Sequence, residues 1–387
     1  MQSKINKVTP YAVLSISLIL TSGMAINGTL PLIKDQLSLT QTQSELLGTI
    51  PSLTVFIFVL LSNLLIKKMG MKRLVLFGLL LVALGGALPV LFPNSYYLIL
   101  ISRLILGAGL GCYNSSSVNY INELFEGKQR MQLLGMRNSM ESIGQMLLTF
   151  VSGFLLLLGW RYSYLIYLTA IPIAILFYLF VPDVKKDNMT EKEEFRPTWL
   201  PIVSVLFASI MVMNSIAIAV RFPGLAVEIM GSTYNTSFFL GLMPVLGILS
   251  GFLFQSITSK IGHRILYLAV LINMIANLLV AIGDKSFVLL VIGLLISSIP
   301  VAWVLPFLFN HIEVIAKGIS TRLLTSFIFL GCNIGVLIAP MLMSLFAFIG
   351  QTDDLYFPFY VFTVMFLLLL GVLFGVLNHL SKENKSI

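Results

Sequence analysis

The chain has 387 residues, of which 58% are hydrophobic and only 10% are charged, and its formal net charge is +8 at pH 7. A soluble domain carries about 25% charged residues, so this composition excludes an ordinary soluble globular protein and predicts apolar segments that lie in a bilayer. Cys112 and Cys332 both fall inside apolar segments, which argues against a structural disulfide, and no residue pattern predicts a metal ion or another cofactor.

Twelve apolar segments follow one another along the chain. A membrane-spanning helix needs about 20 mostly apolar residues, and each segment approaches or exceeds that length. The sequence therefore predicts an all-α polytopic membrane protein with twelve transmembrane helices. We place these helices at 11–33, 43–66, 74–92, 97–121, 131–158, 162–182, 199–220, 236–258, 265–283, 287–309, 322–349 and 359–380.

The longest connection between predicted helices is charged and divides them into two equal groups. We expect an N-terminal six-helix bundle at 1–182, a cytoplasmic linker at 183–198 and a C-terminal six-helix bundle at 199–387. Two halves with the same even number of spans face the same way. This is the parallel-repeat arrangement, in which an axis along the membrane normal relates the halves.

Lysine and arginine are distributed unevenly among the predicted loops. Eighteen lie on the side that carries both termini and four lie on the other side. The positive-inside rule therefore places both termini in the cytoplasm of a plasma membrane, which we expect to be a bacterial inner membrane. The same distribution explains the pI of about 9.4 without a nucleic-acid partner.

A basic turn that contains glycine occurs twice, after the second and the eighth predicted helix. We interpret the pair as a duplicated cytoplasmic gate, since glycine permits a tight turn and a close helix approach. The alternative is a basic loop that orients the protein and binds anionic lipid. The predicted gate residues are Lys68, Gly70, Lys72, Arg73, Lys260, Gly262 and Arg264.

Polar residues follow one face of the fifth predicted helix. Arg137, Glu141, Gln145, Thr149 and Ser152 recur every four or three positions, which is the spacing of a helical stripe. Ionisable groups in a bilayer are costly and normally face a cavity or each other. We therefore predict that Glu141, as the only carboxylate deep in a predicted span, carries a proton. Arg137 is then its charge partner or an anchor for an anionic substrate. A static structural ion pair is the alternative.

Several further residues in the spans are candidates for cavity lining or helix packing. A polar side chain in the middle of a span either lines a cavity or bonds a neighbouring helix. The predicted cavity residues are Asn27, Asn114, Gln145, Asn214, Trp303 and Asn333. Glycines inside the spans predict close helix packing rather than a nucleotide loop, because no strand precedes them. These glycines are Gly107, Gly109, Gly111, Gly144 and Gly335.

Three motifs, in this order on twelve spans, resemble those of the major facilitator superfamily. Residues 63–73 are similar to the G-x-x-x-D-R-x-G-R-R/K turn of the family, and residues 103–109 are similar to its R-x-x-x-G-x-G. Residues 159–162, Gly-Trp-Arg-Tyr, resemble the common G-W-R-W/Y. The resemblance implies a secondary transporter in which two six-helix halves enclose a cavity at the middle of the membrane and open it to either side.

The chain also departs from the family pattern. Asn63 stands in place of the first glycine and Lys67 in place of the aspartate that belongs to a charge-relay gate in relatives. The antiporter signature of the fifth helix is degraded, with Leu148-Thr149 where Gly-Pro belongs, whereas Pro340 occupies the equivalent repeat position. In relatives the arginine that matches Arg103 has been linked to proton transfer. The resemblance implies that role for Arg103, and snorkelling to the outer interface is the alternative.

The resemblance is closest to the 12-helix drug-efflux branch of the family, whose members are drug:proton antiporters. Together with a cavity that has few charges, it implies a proton-coupled secondary transporter that exports small amphipathic compounds and works as a monomer among membrane lipids. Uptake of a small metabolite or anion, with or without protons, is the first alternative. The alternative from another functional class is a lipid flippase or a polytopic membrane enzyme. Catalysis is disfavoured because His263, His311 and His379 lie far apart in the sequence. ATP hydrolysis is disfavoured because no P-loop motif is present.

Overall fold

The structure, a computed structural model, describes residues 7–184, 198–231, 234–316 and 319–383. For Asn63, Arg322 and residues 376–383 it describes the backbone alone. Most of the predicted linker, residues 185–197, lies outside the described residues, as do the two ends of the chain. The described part contains α-helices, 3₁₀ turns and loops but no β-strand, which confirms the prediction of an all-α membrane protein.

The described residues group into two compact units. One unit consists of Met1–Lys192 with Ser232–Val245, and the other consists of Glu193–Gly231 with Leu246–Ile387. The predicted halves meet at the linker, whereas here the short segment 232–245 groups with the N-terminal residues. The boundary therefore falls inside a single helix.

Nine α-helices belong wholly to the first unit. They are α1 (Thr9–Ser15), α2 (Leu30–Leu37), α3 (Gln41–Thr49), α4 (Pro51–Met69), α5 (Met71–Leu91), α6 (Tyr96–Tyr113), α7 (Ser116–Leu124), α8 (Gly127–Leu156) and α9 (Ala170–Phe180). A long 3₁₀ segment, Trp160–Thr169, precedes α9. The core of this unit is made of aliphatic and tyrosine side chains from all of these helices.

The remaining helices belong to the second unit, apart from the first residues of α11. They are α10 (Trp199–Met230), α11 (Ser237–Ile261), α12 (Ile265–Ala281), α13 (Phe287–Ile296), α14 (Ser298–Asn310), α15 (Ile312–Ile315), α16 (Thr321–Ile349) and α17 (Phe357–Glu383). The core of the second unit lies mainly among α10, α12, α14, α16 and α17.

Eleven helical segments among the described residues are long and apolar enough to cross a membrane. One of them, Ser237–Ala281, has 45 residues and includes the 3₁₀ turn Gly262–Arg264. At 1.5 Å per residue it would measure roughly 68 Å, about twice the hydrocarbon thickness of a bilayer. The twelve crossings remain a prediction, in which this segment supplies two.

The first predicted helix is not continuous. Between α1 and α2 the chain forms 3₁₀ turns at Ile16–Ile19, Ser22–Met24 and Asn27–Thr29. Serine, threonine, asparagine and glycine are frequent here, and these residues favour turns over a regular helix. The irregular backbone leaves carbonyl oxygens that side chains from other helices bind.

Close helix crossings in both units occur at glycines. A Cβ atom added to Gly78 of α5 would lie 2.7 Å from Gly109 O of α6, and one added to Gly109 would lie 2.6 Å from Gly78 O. Side chains larger than hydrogen would push these helices apart. The other predicted packing glycines are in similar positions: Gly107 against Pro51, Gly111 against Phe58, Gly144 against Leu18 and Gly335 against Ser209.

Candidate functional site

An ion pair lies near the middle of α8. Arg137 Nη1 is 2.9 Å from Glu141 Oε2, and the two side chains are 14% and 25% exposed. Glu141 stands 14 residues after Gly127 and 15 before Leu156, the two ends of the 30-residue helix. The helix is about 45 Å long, so the pair lies well inside the span.

Helix α7 supplies a further partner to the pair. Arg137 Nε donates to Ser117 Oγ at 3.3 Å, and Nη1 donates to Asn138 Oδ1 at 2.9 Å. The predicted fourth helix is interrupted at Asn114 and Ser115, between α6 and α7. The dense run of serines signals this interruption, but their spacing does not reveal that Ser117 binds Arg137.

The irregular first helix borders the same stretch of α8. Thr21 Oγ1 donates to the main-chain carbonyl of Glu141 at 3.4 Å. One turn further along, Gly144 packs so closely on Leu18 that a Cβ atom would overlap the Leu18 carbonyl group. Segments from the first, fourth and fifth predicted helices therefore meet around Arg137 and Glu141.

This arrangement can exchange charge partners. An ionised Glu141 compensates the guanidinium of Arg137, whereas a protonated Glu141 leaves that cation without a carboxylate. Ser117 and Asn138 also bind the guanidinium, and their neutral oxygens can accept its hydrogen bonds whether or not Glu141 is ionised. The partial exposure of both side chains allows water or a small ligand to reach them.

Arg103 of α6 is completely buried in the first unit. Its Nε donates to Leu47 O at 2.9 Å, its Nη1 donates to Tyr167 Oη at 2.6 Å, and its Nη2 donates to Gly23 O. Tyr167 Oη in turn donates to Ser22 O at 3.1 Å. Snorkelling to the interface is therefore wrong for Arg103, because the protein itself binds the whole guanidinium group. Whether Arg103 takes part in proton transfer stays a prediction.

The predicted cavity residues of the first unit differ in their exposure. Asn27 is 2% exposed, and its Nδ2 lies 3.5 Å from Met24 Sδ. Asn114 and Gln145 are half-buried, and Gln145 is one turn beyond Glu141 on α8. A position beside the ion pair supports a cavity role for Gln145 more directly than for the others.

In the second unit the predicted cavity residues bond protein groups. Asn214 is completely buried, and its Nδ2 donates to Asn273 Oδ1 of α12 at 3.1 Å. Trp303 Nε1 donates to Ser250 O at 2.9 Å, and Asn333 Nδ2 donates to Phe329 O of its own helix at 2.9 Å. The bonds of Asn214 and Trp303 to neighbouring helices fit the alternative interpretation, whereas Asn333 bonds its own helix. A cavity role for all three stays a prediction.

The two basic turns adopt backbone conformations with positive φ, which glycine favours. Gly70 has φ +84° and ψ 153°, and Gly262 has φ +57°. Lys72 Nζ lies 5.2 Å from the centre of the Tyr178 ring. Within the described ranges, no ion pair joins a carboxylate to the five basic residues of the predicted gate, which are Lys68, Lys72, Arg73, Lys260 and Arg264. The gate interpretation stays a prediction.

Two buried polar residues were missed by the sequence reasoning. Glu45, at the start of the second predicted helix, is completely buried on α3, so Glu141 is not the only carboxylate inside a span. Asn273 is also completely buried. The burial of Glu45 could have been predicted from its position at the start of a long apolar run. A glutamate near a helix start is, however, also typical of an exposed first turn.

The eleven helical segments of the described residues that are long and apolar enough to cross a membrane define a polytopic membrane protein. The family model described as Major Facilitator Superfamily matches residues 12–320, which is more than half of the chain. The chain therefore belongs to the major facilitator superfamily and is a secondary transporter in a multi-pass membrane arrangement, as predicted. Members of this family transport small molecules.

Two relatives and one solved structure illustrate the similarity. The chain is 23% identical to "Sialic acid transporter NanX" of Escherichia coli (strain K12), over 88% of this chain and 87% of that protein. It is 30% identical to "Bacillibactin exporter" of Bacillus subtilis (strain 168), over 30% of each chain. The crystal structure of the POT family transporter PepTSo superimposes with a TM-score of 0.73 at 12% identity, covering 98% of this chain and 99% of that one. This structural likeness shows the fold alone.

Proposed function

We propose that this transporter couples its substrate to the proton gradient through Glu141, with Arg137 as the charge partner that protonation releases. The observation that carries the proposal is the 2.9 Å ion pair near the middle of α8. A charged pair inside a span has an energetic cost, and such residues normally occur where function requires them.

The charge balance of the pair favours a small organic anion as the substrate. A proton on Glu141 removes one negative charge, and an anion bound to Arg137 restores the balance. Proton and anion would then move together as a neutral combination, which lowers the cost of carrying charge across the membrane. The relative that spans 88% of this chain is named for an organic acid, which supports the same class.

Export of small amphipathic compounds is the second candidate. The similarity to an exporter over 121 residues favours it. Methionines flank the charged pair on α8, with Met136 40% exposed and Met140 half-buried. Flexible thioether side chains suit varied apolar ligands. A cationic compound could then replace Arg137 as the partner of Glu141.

Proton flux into proteoliposomes tests the coupling. The purified chain would be reconstituted with an internal pH dye, and organic acids that include sialic acid would be added outside. We expect at least one acid to drive proton movement in the parent, and Glu141→Gln to abolish it while exchange of labelled acid persists. Glu126→Gln, an exposed carboxylate just before α8, is the matched control. Proton movement that persists unchanged in Glu141→Gln would contradict the proposal.

Vesicles of opposite orientation decide between the two candidates. Acid accumulation driven by an inwardly directed proton gradient in right-side-out vesicles supports uptake with protons. Dye or drug accumulation in everted vesicles, abolished by Glu141→Gln, supports export instead.

A further inference from the structure

Four cations surround the first basic turn, where Gly70 joins α4 to α5. They are Lys67 and Lys68 in the last turn of α4, and Lys72 and Arg73 in the first turn of α5. Among the described residues, no carboxylate forms an ion pair with any of the four. Lys67 stands where the family pattern has an aspartate, so this concentration of positive charge is a feature of this chain.

The exposed apolar faces of α4 and α5 lead directly to these cations. Exposed positions on each helix recur every three or four residues, so they share one helical face, and the cations continue that face. On α4 the face consists of Ile57, Leu60, Leu61, Leu64, Lys67 and Lys68. On α5 it consists of Arg73, Phe77, Leu80 and Leu84. Both faces therefore combine an apolar part within the span with a positively charged end.

Helix α9 packs against α5 and contributes an aromatic ring to the same surface. Lys72 Nζ lies 5.2 Å from the centre of the Tyr178 ring, and Tyr178 is 62% exposed. Ile175 and Leu179 are also exposed on this part of α9. Tyrosine is typical of the membrane interface, where its ring meets hydrocarbon and its hydroxyl group meets water. The contact therefore indicates that Lys72 lies at the level of the lipid headgroups.

We propose that this turn and the exposed faces of α4, α5 and α9 bind an anionic phospholipid of the cytoplasmic leaflet. The phosphate of the headgroup supplies the negative charge that the turn lacks, and the acyl chains lie along the apolar faces. A lysine or arginine near an anionic headgroup increases the affinity by a factor of about five. An acidic soluble protein would contact the cations but not the apolar faces, which lie in the bilayer.

The positive-inside rule alone does not explain this arrangement. That rule requires basic residues in the loops on one side of the membrane, and any position in a short loop satisfies it. It does not require the cations to continue exposed apolar faces or to contact an aromatic ring. Lipid binding at this surface does not depend on Glu141 or on proton coupling, so its test is independent of the proposed function.

Native mass spectrometry of the full chain tests this binding. The purified protein would be titrated with phosphatidylglycerol, which is anionic, and with phosphatidylcholine, which has no net charge. We expect the parent to bind one phosphatidylglycerol molecule at least about tenfold more tightly than phosphatidylcholine. Lys67→Gln/Lys68→Gln and Lys72→Gln/Arg73→Gln should each weaken this binding by about 10–30-fold, because each pair variant loses two cations.

The matched control is Lys128→Gln/Arg130→Gln, which removes two exposed cations from the first turn of α8. It has the same net charge as the pair variants and should bind phosphatidylglycerol as tightly as the parent. Equal binding of the two lipids by the parent, unchanged binding in both pair variants, or equal weakening in the control overturns the proposal. Displacement of phosphatidylglycerol by inorganic phosphate also overturns it, because the cations would then recognise phosphate alone.

The unfolding temperature provides a second measurement. A lipid that binds the folded protein stabilises it, so phosphatidylglycerol should raise the unfolding temperature of the parent and of the control more than that of the pair variants. If a pair variant does not fold, the single variants Lys67→Gln and Arg73→Gln replace it. Each should bind phosphatidylglycerol about fivefold more weakly than the parent, and unchanged binding in both overturns the proposal.

Discussion

Arg137 Nη1 and Glu141 Oε2 are 2.9 Å apart on α8, with 14% and 25% of their side chains exposed. The spacing of four residues brings the two groups to one face, and neutral oxygens of Ser117 and Asn138 bind the guanidinium from other directions. We expect these two bonds to hold the arginine in place when the carboxylate loses its charge, which makes the charge pairing itself testable.

A double-mutant cycle should show strong coupling between these two residues. Arg137→Gln or Glu141→Gln alone leaves one charge without its partner, and each should destabilise the protein by about 1–3 kcal/mol. The double variant should cost less than the sum of the two, because no unpaired charge remains. Thermal unfolding in detergent measures each value. Additive effects would show that the pair contributes little in the folded state.

A side chain at Gly144 should destabilise the protein, because α8 crosses the first helix too closely at this position. Gly144→Ala places a methyl group on the Leu18 carbonyl, so the helices must separate. We expect a loss of at least about 2 kcal/mol, as for other overpacked sites, and a lower yield of folded protein.

Gly135 is the matched control on the same helix. A Cβ atom there has no neighbour within 4 Å, so Gly135→Ala should be neutral or stabilise the helix by up to about 1 kcal/mol. Size-exclusion profiles and unfolding temperatures compare the two variants. Equal behaviour would mean that α8 can move away from Leu18 at no cost.

Replacement of the turn glycine by asparagine should affect stability differently at the two basic turns. Gly262 has φ +57°, a left-handed value that asparagine tolerates, so Gly262→Asn should cost well under 1 kcal/mol. Gly70 combines φ +84° with ψ 153°, which residues with a Cβ atom rarely adopt, so Gly70→Asn should cost about 1–3 kcal/mol.

Both turns leave room for a side chain, because a Cβ atom on Gly70 or Gly262 meets nothing within 4 Å. A difference between the variants therefore reports backbone strain rather than collision. Unfolding temperature and initial transport rate measure it. Equal tolerance at both positions would show that the Gly70 turn relaxes into another conformation.

The asparagine pair of the second unit should couple by about 1 kcal/mol. Asn214 Nδ2 donates to Asn273 Oδ1 at 3.1 Å, and both side chains are completely buried between α10 and α12. Hydrogen bonds between membrane helices are worth about 0.6 kcal/mol on average and up to about 1.7 kcal/mol. A cycle with Asn214→Leu, Asn273→Leu and the double variant measures the coupling through unfolding temperature.

Transport assays on the same variants address the cavity prediction. A variant Asn214→Leu that folds and transports normally supports a role in helix association. A change in substrate affinity with unchanged stability would instead restore the predicted cavity role.

Much of the fold could be predicted because the bilayer imposes simple rules on composition and length. The apolar runs, the basic loops and the motifs around Gly70, Arg103 and Trp160 predicted the class and the family. Whether each predicted helix is continuous was harder to predict. Local runs of serine, threonine, asparagine and glycine favour the interruptions between Ile16 and Thr29 and at Asn114–Ser115. Which of these polar groups bind partners on other helices is not contained in any local pattern.

The sequence by itself determined the membrane environment and the family. It also showed that Arg137 and Glu141, four residues apart, lie on one helix face and can pair. Only the tertiary structure decided that Arg103 is bound by three helical segments, that Glu45 is completely buried, and that Asn214 pairs with Asn273. Periodicity places a residue on a face of its own helix. Burial and pairing depend on which helices pack against that face, and these contacts join residues far apart in the chain.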